Sequence, residues 1–178
     1  MNKEDKLVAQ HHNLAIKALK GSVKKWERIV AGVAEDGGSI DCPCCQQYAK
    51  GQSTVQLCSQ CPIALTTGFR SCDETPYQYR YYDPHRPKDE LEFLKGVLEA
   101  WKNDPPRYIY GKLEDTNANI TVMPIFVPRD AVGFRLDRFG YIEFYDKNAE
   151  ELQIWINLKY HSEIPKGGFK FESGFYDI

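Results

Sequence analysis

The chain has 178 residues, 23 basic and 25 acidic side chains and a formal net charge of −2. A 42% apolar fraction with 13% aromatics excludes an intrinsically disordered chain, which needs low hydrophobicity and high net charge. Charge separates weakly, from +2 over residues 1–40 to −1 over 41–103 and −3 over 104–178, so no segment has the basic character of a general nucleic-acid binder.

Residues 4–35 carry apolar side chains at alternating steps of four and three (Val8, His12, Ala15, Leu19, Val23, Trp26, Val30, Val33), the pattern of one helix face. Gly21 and Ser22 are a candidate break, with Ser22 capping a second helix, and Gly37-Gly38 ends the helical signal. His12 lies on the stripe and reads as a partly buried, satisfied side chain rather than a ligand. The stretch MNKEDKLVAQHHNLAIK lacks the continuous apolar core of a signal peptide, and no apolar run approaches the ~20 residues of a membrane span. The expectation is a cytoplasmic chain in a reducing compartment, where thiols stay free or bind metal.

Between 41 and 77 the composition changes, and all six cysteines fall between 42 and 72. Such a short irregular segment cannot bury much apolar surface, so something else must hold it. Cys42-x-x-Cys45 and Cys58-x-x-Cys61 are separated by twelve residues. Each pair makes a tight turn that aims two sulfurs at one ion, and two pairs supply the tetrahedral thiolate set that zinc prefers. Zn2+ is therefore expected as a structural cofactor held by Cys42, Cys45, Cys58 and Cys61. Cys44 lies inside the first knuckle, where it could compete with Cys42 or Cys45, and Cys72 is an alternative fourth ligand, leaving the set 45, 58, 61 and 72 open. Cys44→Ser is expected to be tolerated by the first set, and nothing in the spacing demands a second ion. A closed four-thiolate site is electron-rich and a poor Lewis acid, and the H-x-E element of zinc deaminases is missing. The metal reads as architectural.

Residues 77–87 form an aromatic, partly basic stretch in which Tyr77, Tyr79, Tyr81 and Tyr82 interleave with Arg80 and Arg86. Aromatic faces can stack bases while arginines contact phosphate; the competing reading is a packing cluster against the knuckle. Pro87-Lys88-Asp89-Glu90 then opens a helix with Leu91, Leu94, Leu98 and Trp101 on its apolar face, stopped by Asp104-Pro105-Pro106. From 104 onward, apolar alternation and turn residues predict strands near 108–113, 120–127, 134–136, 141–145, 152–160 and 169–172, with Pro124 marking an edge or a bend. Short connections favour an antiparallel meander with one face on a helix. The predicted fold class is α+β: N-terminal helices with a zinc-knuckle insertion, then an antiparallel β-sheet region. The expected division is 1–103, a helical region containing the zinc module at 41–77, and 104–178, the β region.

Phosphate-binding glycine loops and the G-x-S-x-G elbow are absent from the sequence. Asp83 and His85 in YYDPHRP make only a weak catalytic dyad, so a non-enzymatic protein is expected. One reading is a zinc-stabilised protein that binds another protein, with Phe144, Tyr145, Trp155 and Phe175 of the acidic β region as a contact face. The alternative is a zinc-knuckle nucleic-acid binder using 77–86.

The order Cys42-x-x-Cys45, Cys58-x-x-Cys61-Pro62-Ile63, Thr67-Gly68, Cys72, Thr75-Pro76-Tyr77, with Trp26 in an upstream amphipathic helix, resembles an arrangement that recurs in small phage- and prophage-encoded cysteine-rich proteins. The resemblance covers roughly residues 22–82. It implies a viral origin, residence in the host cytoplasm and an accessory role, with a host protein as partner and a host defence system as the kind of target. It carries no enzymatic activity, and Cys44 is an addition to its pattern.

Overall fold

The computed structural model describes residues 3–49, 58, 59–68, 72, 75–77, 86–105, 107–114, 120–128, 131–136, 141–145, 147–148, 151–157 and 169–171. Beyond residue 105, side chains are described only at 107, 127–128, 131–132, 134, 144–145 and 147–148.

Helix α1 runs from Lys3 to Val30, 28 residues without interruption and roughly 42 Å long at 1.5 Å per residue. Its inward stripe is the one predicted: Val8, Ala15, Leu19, Val23 and Trp26 are buried. The expected break at Gly21-Ser22 is corrected. The chain stays helical there because both residues face another segment at close range. A Cβ on Gly21 would lie 2.9 Å from the Pro43 side chain, and Ser22 is buried with its hydroxyl turned to a cysteine. The helix also ends earlier than the sequence suggested. Gly32 adopts φ +69, its N–H donates to the Ile29 carbonyl at 3.0 Å, and the Val33 N–H reaches back to Arg28 at 3.0 Å. This paired closure requires a left-handed residue after the helix, a role glycine fills without strain. Val33 is thereby released from the stripe and is exposed.

Helix α2 spans Pro43–Tyr48 and helix α3 Pro62–Thr67, each with proline in its first turn, and a 3-10 turn covers Cys58–Gln60. Helix α4 covers Arg86–Asn103 and packs along α1 through Leu91, Leu94, Val97, Leu98 and Trp101, all buried. Trp101 is fully buried; its indole Nε1 donates to Thr66 Oγ1 at 2.8 Å, and its carbonyl accepts from His12 Nε2 at 2.9 Å. The two rings stack at 6.0 Å. His12 is thus the satisfied packing histidine expected from its place on the stripe.

Among the described residues six strands follow: β1 Tyr108–Glu114, β2 Ile120–Phe126, β3 Gly133–Leu136, β4 Tyr141–Tyr145, β5 Glu151–Asn157 and β6 Phe169–Phe171. The expected α+β chain closing in one antiparallel β region is corrected here. Helix accounts for 67% of the residues described down to their side chains, and within that set strand contributes only Phe134, Phe144 and Tyr145. The residues described down to their side chains are mostly helical. Among the described residues, backbone pairing forms two separate three-stranded ladders, β2-β1-β6 and β3-β4-β5, rather than one meander. Pro128 explains the division. It follows β2, has no N–H to extend a ladder, and its carbonyl accepts the Ala131 N–H at 3.0 Å in a turn. Val127 and Ala131 on either side of that turn are fully buried. The chain then starts new pairing, with the Val132 N–H donating to the Tyr145 carbonyl at 2.7 Å. Pro124 sits opposite Tyr110 on β2, at the edge of its ladder, as proline requires. Val127, Ala131 and Phe144 belong to the same apolar core as the helices.

Candidate metal centre

Three segments bring all six cysteines around one cavity of about 410 Å3. Cys42 precedes α2 in extended conformation, and its carbonyl accepts the first helical bond, from Gln46 at 2.9 Å. Pro43 fits the next position because its missing N–H would be unpaired there anyway. Cys44 and Cys45 follow within α2 and are buried. The second knuckle is built the same way: the Cys61 N–H donates to the Cys58 carbonyl at 2.8 Å, and Cys61 caps α3 ahead of Pro62. Cys72 is held by Thr75, whose N–H and hydroxyl both donate to the Cys72 carbonyl, at 3.2 and 2.7 Å.

The thiols approach each other in pairs. Cys42 hydrogen-bonds with Cys45, and Cys44 with Cys61. Ser22 of α1 joins the pairs, its Oγ lying 3.3 Å from Cys44 Sγ and 3.8 Å from Cys42 Sγ. The Cys45 hydrogen bond, reinforced by Ser22 and the Lys25 charge against the opposing effect of burial, brings the Cys42 thiol down to about 6. The same bond together with burial pushes Cys45 up, and its bond to Cys44 together with burial pushes Cys61 up. Among the described residues, no three Cys, His, Asp or Glu side chains stand as a ready-made metal-binding group. The sulfurs share a cavity without yet converging on one point.

The rest of the lining is partly polar. Lys25 reaches Asp36 Oδ1 at 2.6 Å, Asp41 Oδ1 at 2.5 Å and the Gly38 carbonyl at 3.1 Å, which fastens the 36–41 loop beside the cavity. Glu90 of α4 is buried, with Oε2 at 3.3 Å from Thr75 Oγ1, and burial raises its carboxyl to about 7. Trp26 and Tyr77 meet edge to face at 6.1 Å on the cavity wall.

The predicted ligands Cys42, Cys45, Cys58 and Cys61 are therefore brought together, and Cys72 with them. Sequence reading missed Ser22 and undervalued Cys44, which has no exposed surface. The signal for both was present in the unexplained glycine–serine step inside a strong helix. Of the aromatic-basic segment, Tyr77 lies in the packing cluster with Trp26. Arg86 opens α4 with its side chain outside the description, and Tyr79, Arg80, Tyr81 and Tyr82 lie outside the described residues, as do Asp83 and His85. Phe144 is corrected as a contact residue: it is fully buried, 6.4 Å from Phe134 between ring centroids. Phe175 and the Trp155 side chain lie outside the described set. Among the described residues, no helix is long and apolar enough to cross a membrane. Compared with protein-family models, curated proteins and solved structures, the chain matches none.

Proposed function

We propose that the cysteine cavity is a structural zinc site, and that the protein is a zinc-stabilised, non-enzymatic accessory protein that works by binding another protein. The observation that supports the metal is the gathering of six cysteines from three segments around one largely buried cavity. An all-thiol donor set suits zinc among the common divalent ions, and a thiolate-rich site is electron-rich and closed, which suits scaffolding more than Lewis-acid chemistry. Metal-binding energy in such a module is folding energy.

Binding to a protein partner is supported by the loop beside the cavity. Val33 and Ile40, exposed at 66% and 76%, bracket a loop that Lys25 holds through Asp36, Gly38 and Asp41. Apolar groups on a preorganised loop lose little entropy on association. A phage origin, with a host protein as partner and a host defence component as target, is the version of this reading that the cysteine pattern suggests.

Native mass spectrometry of the purified chain tests the metal: zinc bound, and lost in Cys58→Ser or Cys61→Ser with unfolding of the module. A metal-free chain of unchanged stability overturns it. Tagged capture from bacterial lysate, with and without nuclease, tests the partner. A stoichiometric protein that survives nuclease and is lost in Ile40→Asp supports the reading, whereas recovery abolished by nuclease favours nucleic-acid binding through 77–86.

A further inference from the structure

Six sulfurs are more than one tetrahedral ion takes. The thiols that a four-cysteine set leaves over are not remote from the others. Cys44 is wholly buried, lies 3.3 Å from Ser22 Oγ and hydrogen-bonds with Cys61. Cys72 interacts electrostatically with Cys45 and lines the same cavity.

Bond counting gives these thiols a role. Two tetrahedral ions need eight metal–sulfur bonds, and six thiolates supply eight when two of them bridge. We infer that the cavity takes two divalent thiophilic ions, held by Cys42, Cys44, Cys45, Cys58, Cys61 and Cys72, which all line it, with two of the six sulfurs shared between the ions. This rests on the reading of the cavity as a metal site and fixes its stoichiometry.

Loading is balanced by proton release: each thiol still protonated gives its proton to solvent as the two ions bind. Six thiolates with two divalent cations keep an excess of two negative charges. Lys25 on the cavity wall is already paired with Asp36 and Asp41, and the Ser22 hydroxyl donates to sulfur.

The test is native mass spectrometry of the full chain purified with zinc, alongside NMR of the 113Cd-loaded chain. The expected result is two ions per chain and two cadmium resonances that split each other through a shared sulfur. Cys44→Ser and Cys72→Ser, which leave the four cysteines of the two C-x-x-C pairs in place, should each hold fewer than two ions. One ion in the wild-type chain, unchanged by Cys44→Ser, overturns the two-ion site and leaves the single structural zinc intact. Two resonances without mutual splitting overturn the bridging assignment. An ion-free wild-type chain overturns the metal reading as well. Wild-type stoichiometry and splitting decide the question even where a variant fails to fold.

Discussion

The hydroxyl of Ser22 lies 3.3 Å from the sulfur of Cys44, and both side chains are buried. Through this contact the longest helix of the protein touches the cysteine cavity directly, one residue beyond the glycine that lets helix α2 approach. Ser22→Ala removes the hydrogen bond at a cost of about 1 kcal/mol. It also takes away one of the interactions that lower the Cys42 thiol. In metal-free protein the pH midpoint for alkylation of Cys42 should therefore move up, and an unchanged midpoint would show that the hydroxyl does not act on that sulfur.

Gly21→Ala sets helix propensity against packing. In an exposed helix the change stabilises by roughly 1 kcal/mol. Here the new methyl meets Pro43 at 2.9 Å, and overpacking of this kind costs about 1–3 kcal/mol. Thermal melts should show a net loss of stability together with weaker retention of the proposed zinc, because α2 carries Cys44 and Cys45 and is capped by Cys42. A gain in melting temperature would mean that α1 and α2 are not in tight contact.

Lys25 holds two carboxylates and a carbonyl while its own side chain is only 10% exposed. Lys25→Met should cost on the order of 2–3 kcal/mol, since Asp36 and Asp41 lose their common cation. The pH dependence has a definite sign. Burial would raise the Asp41 carboxyl, but the Lys25 hydrogen bond and charge and the Gly37 N–H outweigh it and hold it below its ordinary 3.8. A carboxyl depressed on folding contributes stability that is present above that value and lost as pH falls below it. Acid melts of the wild type and Asp41→Asn should therefore converge below about pH 3.8 and separate above it; parallel curves would refute the pairing.

Trp101→Phe keeps the ring but removes the indole donor to Thr66 and part of the stack on His12. The expected loss is about 1–3 kcal/mol in denaturant titration. His12→Ala should cost about 1 kcal/mol without affecting metal content, which distinguishes a packing histidine from a ligand.

The helical periodicity of Val8 to Trp26 and of Leu91 to Trp101 was legible because burial of an apolar stripe repeats with the helix turn. The two C-x-x-C knuckles were legible because their spacing is local chemistry. Gly21-Ser22 misled for a physical reason. In isolation the pair weakens a helix, but in the folded protein Pro43 and Cys44 use the absent side chain and the hydroxyl, a contact made across about twenty residues of sequence. The strand segments were recognisable individually, yet their division into two ladders depends on Pro128 and on where Val127 and Ala131 are buried, which alternation alone does not encode. Phe144 failed as a surface residue because an aromatic on a strand reads the same whether its face is inward or outward. That Cys44 faces Ser22 was not legible, because spacing alone does not reveal which way a third cysteine in the C-x-x-C turn points.

The wall formed by Trp26 and Tyr77 gives the protein an optical consequence. Trp26 is 4% exposed and shares the cavity lining with the cysteines. Trp101 lies seven residues beyond the cavity-lining Leu94 on α4, a rise of roughly 10 Å. Cobalt bound to the thiolates would therefore accept excitation energy from Trp26 more than from Trp101. The emission of Trp26, recorded in a background carrying both Trp101→Phe and Trp155→Phe, becomes an internal meter of occupancy that needs no attached dye.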